Sequence, residues 1–203
     1  MERLVLAIDL GGTNVRAAVV TSNGGRLVSD VSREALGTTD ETRTPTAVLA
    51  AAVSVARATL ASFLATEPEA LIAAIAVGQP GHVGERDGTM SRLAAFPNWG
   101  DARAPVVSTL GDGLLTGPAA AAFGPRATVF VFDDAQSGLA GEVFFGAGQL
   151  ARTVAAITVG TGVGSAVAFD HGAYFHGGAA ASSSSATRSS TSRLASARCG
   201  SRS

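Results

Sequence analysis

Three short stretches carry side chains of types and spacing that could handle a phosphate and a hydroxyl. The first runs Asp9-Leu10-Gly11-Gly12-Thr13-Asn14-Val15-Arg16. Apolar, partly β-branched residues precede it (Leu4 to Ile8) and follow it from Val15, which predicts two strands joined by a tight glycine turn. Gly11 and Gly12 have no Cβ, so the backbone N–H groups of the Gly-Gly-Thr-Asn turn can approach an anion closely. Thr13 adds a hydroxyl, and Arg16 a planar cation suited to phosphate. Asp9, where strand meets turn, is placed to hold a hydrated Mg²⁺. A bare Gly-Gly would be ordinary hairpin chemistry; the ordered set Asp-x-Gly-Gly-Thr-x-x-Arg points to phosphate binding.

The second stretch is Gly160-Thr161-Gly162-Val163-Gly164, set between an apolar strand (Thr153 to Val159) and another (Ser165 to Phe169). It repeats the strand, glycine turn, strand order of the first. A dinucleotide fingerprint is excluded, because Ser165 stands at the third glycine position and a strand follows instead of a helix. The third stretch is Asp133-Asp134, between a short strand (Thr128 to Phe132) and a helix (Ala135 to Phe145). In isolation Asp134 reads as a helix N-cap and Asp133 as a loop acid.

The elements that must position these residues follow from periodicity. After the second strand (Val15 to Thr21), Asn23-Gly24-Gly25 predicts a hairpin turn into a third strand, Arg26 to Glu34. Leu49, Val53, Ala56, Leu60 and Phe63 fall at helical spacing within Thr46 to Thr66, and Glu67-Pro68 ends that helix. Leu71 to Val77 reads as a buried strand. Gly78-Gln79-Pro80-Gly81 then closes it with a rigid turn at a strand's carboxyl end, where open α/β sheets place their ligands. Val106 to Leu115 is a short helix, and Gly117 to Arg126 a connection.

Composition narrows the chemistry. The 203 residues carry a net charge of −1 and no Lys, which excludes a Walker A loop, a protein-kinase strand lysine and a Schiff-base lysine. Near-neutral charge gives no reason to expect a nucleic-acid or anionic-membrane partner. The lone Cys199 excludes an internal disulfide and a multi-cysteine zinc site. Asp9 interrupts the first apolar run, so no signal peptide or membrane span is expected there, and a cytoplasmic location is the expectation.

The first motif resembles the first phosphate motif of the ROK family of sugar kinases and bacterial glucokinases, within the actin-like ATPase and hexokinase superfamily. Gly78-Gln79-Pro80-Gly81 is similar to that family's Gly-x-Pro-Gly turn beside the sugar. Phe96-Pro97-Asn98-Trp99 is similar to its Asn-bearing segment, with Trp99 read as structural. Gly160 to Gly164 resembles its second phosphate motif. Asp133-Asp134, followed by Glu142 on the helix, resembles its Asn-Asp pair and helix ending in Glu, with Glu142 itself read as structural.

The resemblance implies an α/β fold with a ribonuclease-H-like (actin-like ATPase) domain over residues 1–104. An interdomain helix, the catalytic Asp segment and the start of an incomplete second domain of the same type would follow over residues 105–178. It also implies transfer of the γ-phosphoryl of Mg-ATP to a hexose, glucose first among them, giving the hexose 6-phosphate. Asp134 would be the general base. Asp9, Gly11, Gly12, Thr13, Asn14, Arg16, Gly160, Thr161, Gly162 and Gly164 would serve ATP and its phosphates. Gly78, Pro80, Gly81, Asn98, Asp133 and Asp134 would serve the sugar. Asp133 departs from the family, which has Asn there; an ionised carboxylate accepts hydrogen bonds but cannot donate them. A homodimer is a further implication.

The resemblance spans Leu4 to Gly178. From Ala179 the chain turns to Ser, Ala, Thr and Arg with no acid, a composition that predicts a disordered tail over residues 179–203. The family's Glu-x-x-Gly-His segment and cysteine cluster are not found there. This abrupt change points to an out-of-frame or artificial terminus and to impaired catalysis by the chain as it stands. Two other classes stay open: a fragment that binds nucleotide or sugar without catalysis, and a ROK-type sugar-responsive transcriptional regulator without its DNA-binding segment.

Overall fold

A computed structural model describes residues 3–23, 25–84, 88–91, 96, 99, 102–159, 163–169, 173–178 and 192–193. The chain forms two compact units, Met1–Asp134 and Ala135–Ser203. The first is built on the opening hairpin. β1 (Leu4–Leu10) and β2 (Asn14–Thr21) run antiparallel, and their register sets Leu10 opposite Val15 and Asp9 opposite Arg16. β4 (Ile72–Gln79) lies parallel to β1 on its other side, and β7 (Val129–Asp133) lies parallel to β4. With β3 (Ser32–Ala35) outside β2, the sheet order is β3-β2-β1-β4-β7. That order is the expected ribonuclease-H-like one.

Alternation along the strands decides which face is buried. Leu6, Ile8 and Leu10 on β1 and Ile75 and Val77 on β4 are buried, whereas Asp9 between them is exposed. This follows from the period-two geometry of a strand. α1 (Pro45–Thr66) starts where Thr44 accepts a hydrogen bond from the Ala47 N–H at 3.2 Å, with Pro45 in the first turn. Both are favoured N-terminal devices. Its buried stripe is Val48, Leu49, Ala52, Val55, Ala56, Thr59, Leu60 and Phe63, and it joins the sheet in one core. By length and a mean hydropathy of 1.8, Pro45–Thr66 could also cross a membrane; its apolarity here serves this core.

One expectation shifts. The third strand is shorter than Arg26 to Glu34. Leu27 makes only an isolated bridge to Val20, and the Val19 N–H donates to the Ser29 hydroxyl at 2.8 Å. A serine side chain there takes the place of a backbone partner. Residues 105–134, where the interdomain helix and the acid segment are expected, group with the first unit. α2 (Val106–Leu114) packs on α1, and β7 hydrogen-bonds to β4. The short strands β5 (His82–Val83) and β6 (Met90–Ser91) pair with each other.

The second unit opens with α3 (Asp134–Phe145), whose Ala135, Leu139 and Val143 form one buried stripe at four-residue spacing. They pack with Ala166 and Ala168 of β9 (Val163–Phe169), beside Val154 and Ala156 of β8 (Thr153–Val159). β8, β9 and β10 (Ala173–Gly178) form an antiparallel sheet. Of the tail expected to be disordered, Ser192–Arg193 are described, as a two-residue strand β11 on β10.

Val53 lies partly outside the buried stripe and faces α2. A β-carbon at Gly113 would stand 2.8 Å from Val53 Cγ2 and 3.0 Å from Cγ1, whereas one at Gly111 would meet nothing within 4 Å. Gly111→Ala is therefore expected to raise stability by about 0.5–1 kcal/mol. Gly113→Ala is expected to lower it by about 1 kcal/mol despite the same gain in helix propensity, because β-branched Val53 cannot yield cheaply. Urea unfolding of the two variants checks the opposite signs.

Candidate active site

Three neighbouring strands of the first unit end at one edge. Register aligns Asp9 with Gly78 and Gly78 with Phe132. One residue further on, Gln79 aligns with Asp133, and Asp134 opens α3. The Asp-x-Gly-Gly turn, the Gly-x-Pro-Gly turn and the acid pair thus share the carboxyl edge of three parallel strands, where α/β folds place ligands. Strand spacing puts Asp9 and the acid pair about 10 Å apart, two strands across. Asp9 and Asp133 leave opposite faces of the sheet at that edge and do not touch directly.

The glycine turn is held by its own backbone. The Gly11 N–H donates to the Asn14 carbonyl at 2.9 Å, and the Leu36 N–H to the Thr13 carbonyl at 2.8 Å. A β-carbon on Gly11 would come within 3.1 Å of that Asn14 oxygen, so the turn leaves little room for a side chain. Arg16 Nη1 donates to Asp9 Oδ2 at 3.0 Å, with both side chains about half exposed (48% and 53%). An exposed pair of this kind adds about 1 kcal/mol or less to stability. Its placement beside the turn matters more than its strength.

Sequence spacing missed two basic residues at this turn. Arg33 on β3 is the register partner of Arg16, which places Asp9, Arg16 and Arg33 in one exposed row across three strands. Arg33 Nε also donates to Asn14 Oδ1 at 3.0 Å. Like charges directly opposite each other on adjacent strands repel, and an anion beside them would relieve that repulsion. Arg43 lies in a single 3₁₀ turn, Glu41–Arg43. Its guanidinium donates to the Gly12 carbonyl and sits 4.8 Å over the Phe96 ring. Neither residue has a local signature; only the pairing of β3 and the packing before α1 bring them in.

The other expected site residues divide clearly. Gly78 ends the half-buried face of β4; Pro80 follows Gln79, and Gly81 adopts φ 83°, a backbone state that glycine takes without strain. Asp133 and Asp134 are half-buried. Asp134 is the first residue of α3 itself, so its carboxylate lies at the positive end of the helix. Glu142 is structural as expected: its Oε2 accepts from the Ala147 N–H at 2.9 Å and closes the end of α3. Trp99 is structural too, stacked on Phe96 at 4.7 Å with its indole N–H donating to the Arg43 carbonyl. Asn98, Gly160, Thr161 and Gly162 lie outside the described residues. Gly164 is on β9, opposite Thr158 and one residue beyond the Val159–Val163 pair that closes the second hairpin.

No group of three or more His, Cys, Asp or Glu side chains is poised to hold a metal among the described residues. The exposed Asp9 carboxylate is of the kind that suits Mg²⁺, which keeps most of its waters and binds through one or two carboxylates together with phosphate oxygens. Arg43 joins the glycine turn to the Phe96–Trp99 segment through a charge-assisted hydrogen bond and a cation–π contact. Arg43→Met is therefore expected to cost about 2 kcal/mol of stability, against less than about 1 kcal/mol for Arg16→Met. Chemical denaturation of the two variants measures the difference.

The sequence matches the ROK family over residues 5–184. It is 26% identical over 163 residues to a glucokinase of Thermotoga maritima, a match that takes in 80% of this chain and 44% of that protein. Among solved structures, it is similar to the inorganic polyphosphate/ATP-glucomannokinase of Arthrobacter sp. strain KM, with a TM-score of 0.63 and 27% identity. That match covers 83% of this chain and 59% of the other. A ROK family glucokinase from Streptomyces griseus, crystallised with glucose and AMPPNP, shares the fold at a TM-score of 0.60 and 24% identity, over 83% of this chain and 45% of that one. The chain spans about half the length of these relatives. With most of its residues inside the family match, the chain belongs to the ROK family.

Proposed function

We propose that this chain is the phosphate- and sugar-binding part of an ATP-dependent hexose kinase, with glucose as the leading acceptor and the hexose 6-phosphate as product. The observation that carries the reading is the shared carboxyl edge, where Asp9, the Gly78–Gly81 turn and Asp133–Asp134 end neighbouring strands beside the Asp9–Arg16–Arg33 row. The kinships to a glucokinase and a glucomannokinase supply the substrate class.

In this reading the Gly12 and Thr13 amides cradle phosphate oxygens, Gly11 closes the turn through its own N–H on the Asn14 carbonyl and adds no side chain to obstruct the anion, and Arg16 and Arg33 neutralise charge. Gly160, Thr161, Gly162 and Gly164 are assigned to the nucleotide's phosphates on the family resemblance alone. Mg²⁺ held through Asp9 would supply neutralisation of the phosphate charge. Gly78, Pro80, Gly81 and Asn98 border the sugar with Asp133. Asp134 takes the proton from the attacking hydroxyl as that oxygen bonds to the γ-phosphorus and the bond from the γ-phosphorus to the bridging oxygen breaks, releasing ADP. Phosphoryl transfer asks the protein chiefly for such positioning and charge stabilisation. Because the chain spans about half its relatives' length, full turnover is assigned to the complete enzyme, and weak turnover with retained binding to this chain.

Calorimetric titration with Mg-ATP and a hexose panel, alongside an ATP-to-ADP coupled assay, tests the proposal. Arg16→Met and Arg33→Met are each expected to weaken ATP binding about tenfold, with stability changed by less than about 1 kcal/mol. Asp134→Asn is expected to reduce any measurable transfer by about 10²–10⁴-fold with ATP affinity retained. Binding of neither ATP nor any hexose by the wild-type chain would overturn the reading.

A further inference from the structure

Gln79 is the last residue of β4 and is fully buried, yet neither its Nε2 nor its Oε1 has a hydrogen-bond partner. The residues before it on the same face, Ile75 and Val77, are apolar and lie in the core. An apolar side chain at 79 would continue that run without penalty. A carboxamide there loses its water at both ends and gains nothing in return. Such a state is unfavourable unless the group has a second use.

The register supplies one. Gln79 pairs with Asp133 on the adjacent parallel strand, so the two side chains leave the same face of the sheet about 5 Å apart. Asp133, when ionised, can only accept hydrogen bonds, whereas a sugar hydroxyl both donates and accepts. A carboxamide beside it provides the missing donor and a further acceptor. Gln79 also has more rotamers open to it than a branched residue would have. Its unbranched stem rotates about three bonds, and Pro80 with Gly81 at φ 83° turns the chain away immediately after it. A change of rotamer would carry the carboxamide from the interior toward the carboxyl edge, where β4 ends. The unpaired inner state offers little resistance to that shift.

We infer that Gln79 is a specificity-determining residue of the acceptor site, turning outward when the site is loaded and hydrogen-bonding a sugar hydroxyl beside Asp133. This rests on the hexose-kinase reading above and adds to it the residue that distinguishes one hydroxyl pattern from another.

Gln79→Met keeps the length and flexibility of the side chain and removes its hydrogen bonding. In the free full chain its urea midpoint is expected to equal or exceed that of the wild type. A clear fall would mean that the carboxamide is satisfied internally and would overturn the inference. Titration with glucose, mannose and N-acetylglucosamine is expected to show at least tenfold weaker binding of the preferred sugar in Gln79→Met, a flattened ranking of the three, and unchanged ATP affinity. Equal sugar affinities in both proteins would overturn the inference and leave the kinase reading standing. Failure of the wild type to bind any hexose would overturn both. The Gln79 side-chain amide resonances of ¹⁵N-labelled wild type give a readout without substitution: they are expected to move on addition of glucose and not of ATP, and no movement at saturating glucose would count against the role.

Discussion

Parallel pairing of β1, β4 and β7 is the constraint on which the site depends. Strands that run the same way end at the same edge, so Asp9, Gly78 and Asp133 come together although long stretches of chain separate them. Were β4 reversed, its glycine turn would lie about 25 Å from Asp9, at the far end of an eight-residue strand. Parallel neighbours need crossovers, and α1 and α2 provide them. The crossover helices in turn require one apolar face, which Leu6, Ile8, Leu10, Ile75 and Val77 form. The chemistry at the edge and the core beneath it are thus two results of a single topology.

Within that frame the polar residues are sorted by strand parity. Asp9 shares its exposed row with Arg16 and Arg33, and the buried row next to it is apolar. Gln79 breaks this order, being polar in the buried row, and it does so opposite Asp133. Arg43 acts differently. It carries no place in a strand, but it fastens the Gly12 carbonyl to the stacked Phe96–Trp99 pair. A turn that must present backbone amides to an anion gains from such anchoring, because donors already in position need no reorganisation when the ligand arrives.

The second unit repeats the opening theme with less to hold it. Its described core is small: Ala135, Leu139, Val143, Ala166 and Ala168. Ile157 and Val159 on β8 are 73% and 82% exposed, on strands whose alternation is strand-like but whose outer face carries apolar side chains. The sequence echo between residues 4–20 and 153–169 is matched by two antiparallel hairpins, β1–β2 and β8–β9. The glycine turn of the second, residues 160–162, lies outside the described residues.

Local chemistry in the sequence was enough to place the hairpin, α1, β4, β7 and α3 within a few residues. Each rests on periodicity, capping or a glycine turn among near neighbours. The resemblance carried by Asp9 to Arg16, Gly78 to Gly81 and Asp133-Asp134 then named the family. What the sequence left open is non-local. The shortening of β3 came from one serine hydroxyl taking the Val19 N–H. The pairing of β7 with β4 joins distant stretches of chain in one sheet. Arg33, Arg43 and Gln79 have no motif around them, and their importance comes from a register partner or a packed ring supplied by distant chain. Spacing along the chain determines which face a side chain takes; only pairing between strands decides what it faces.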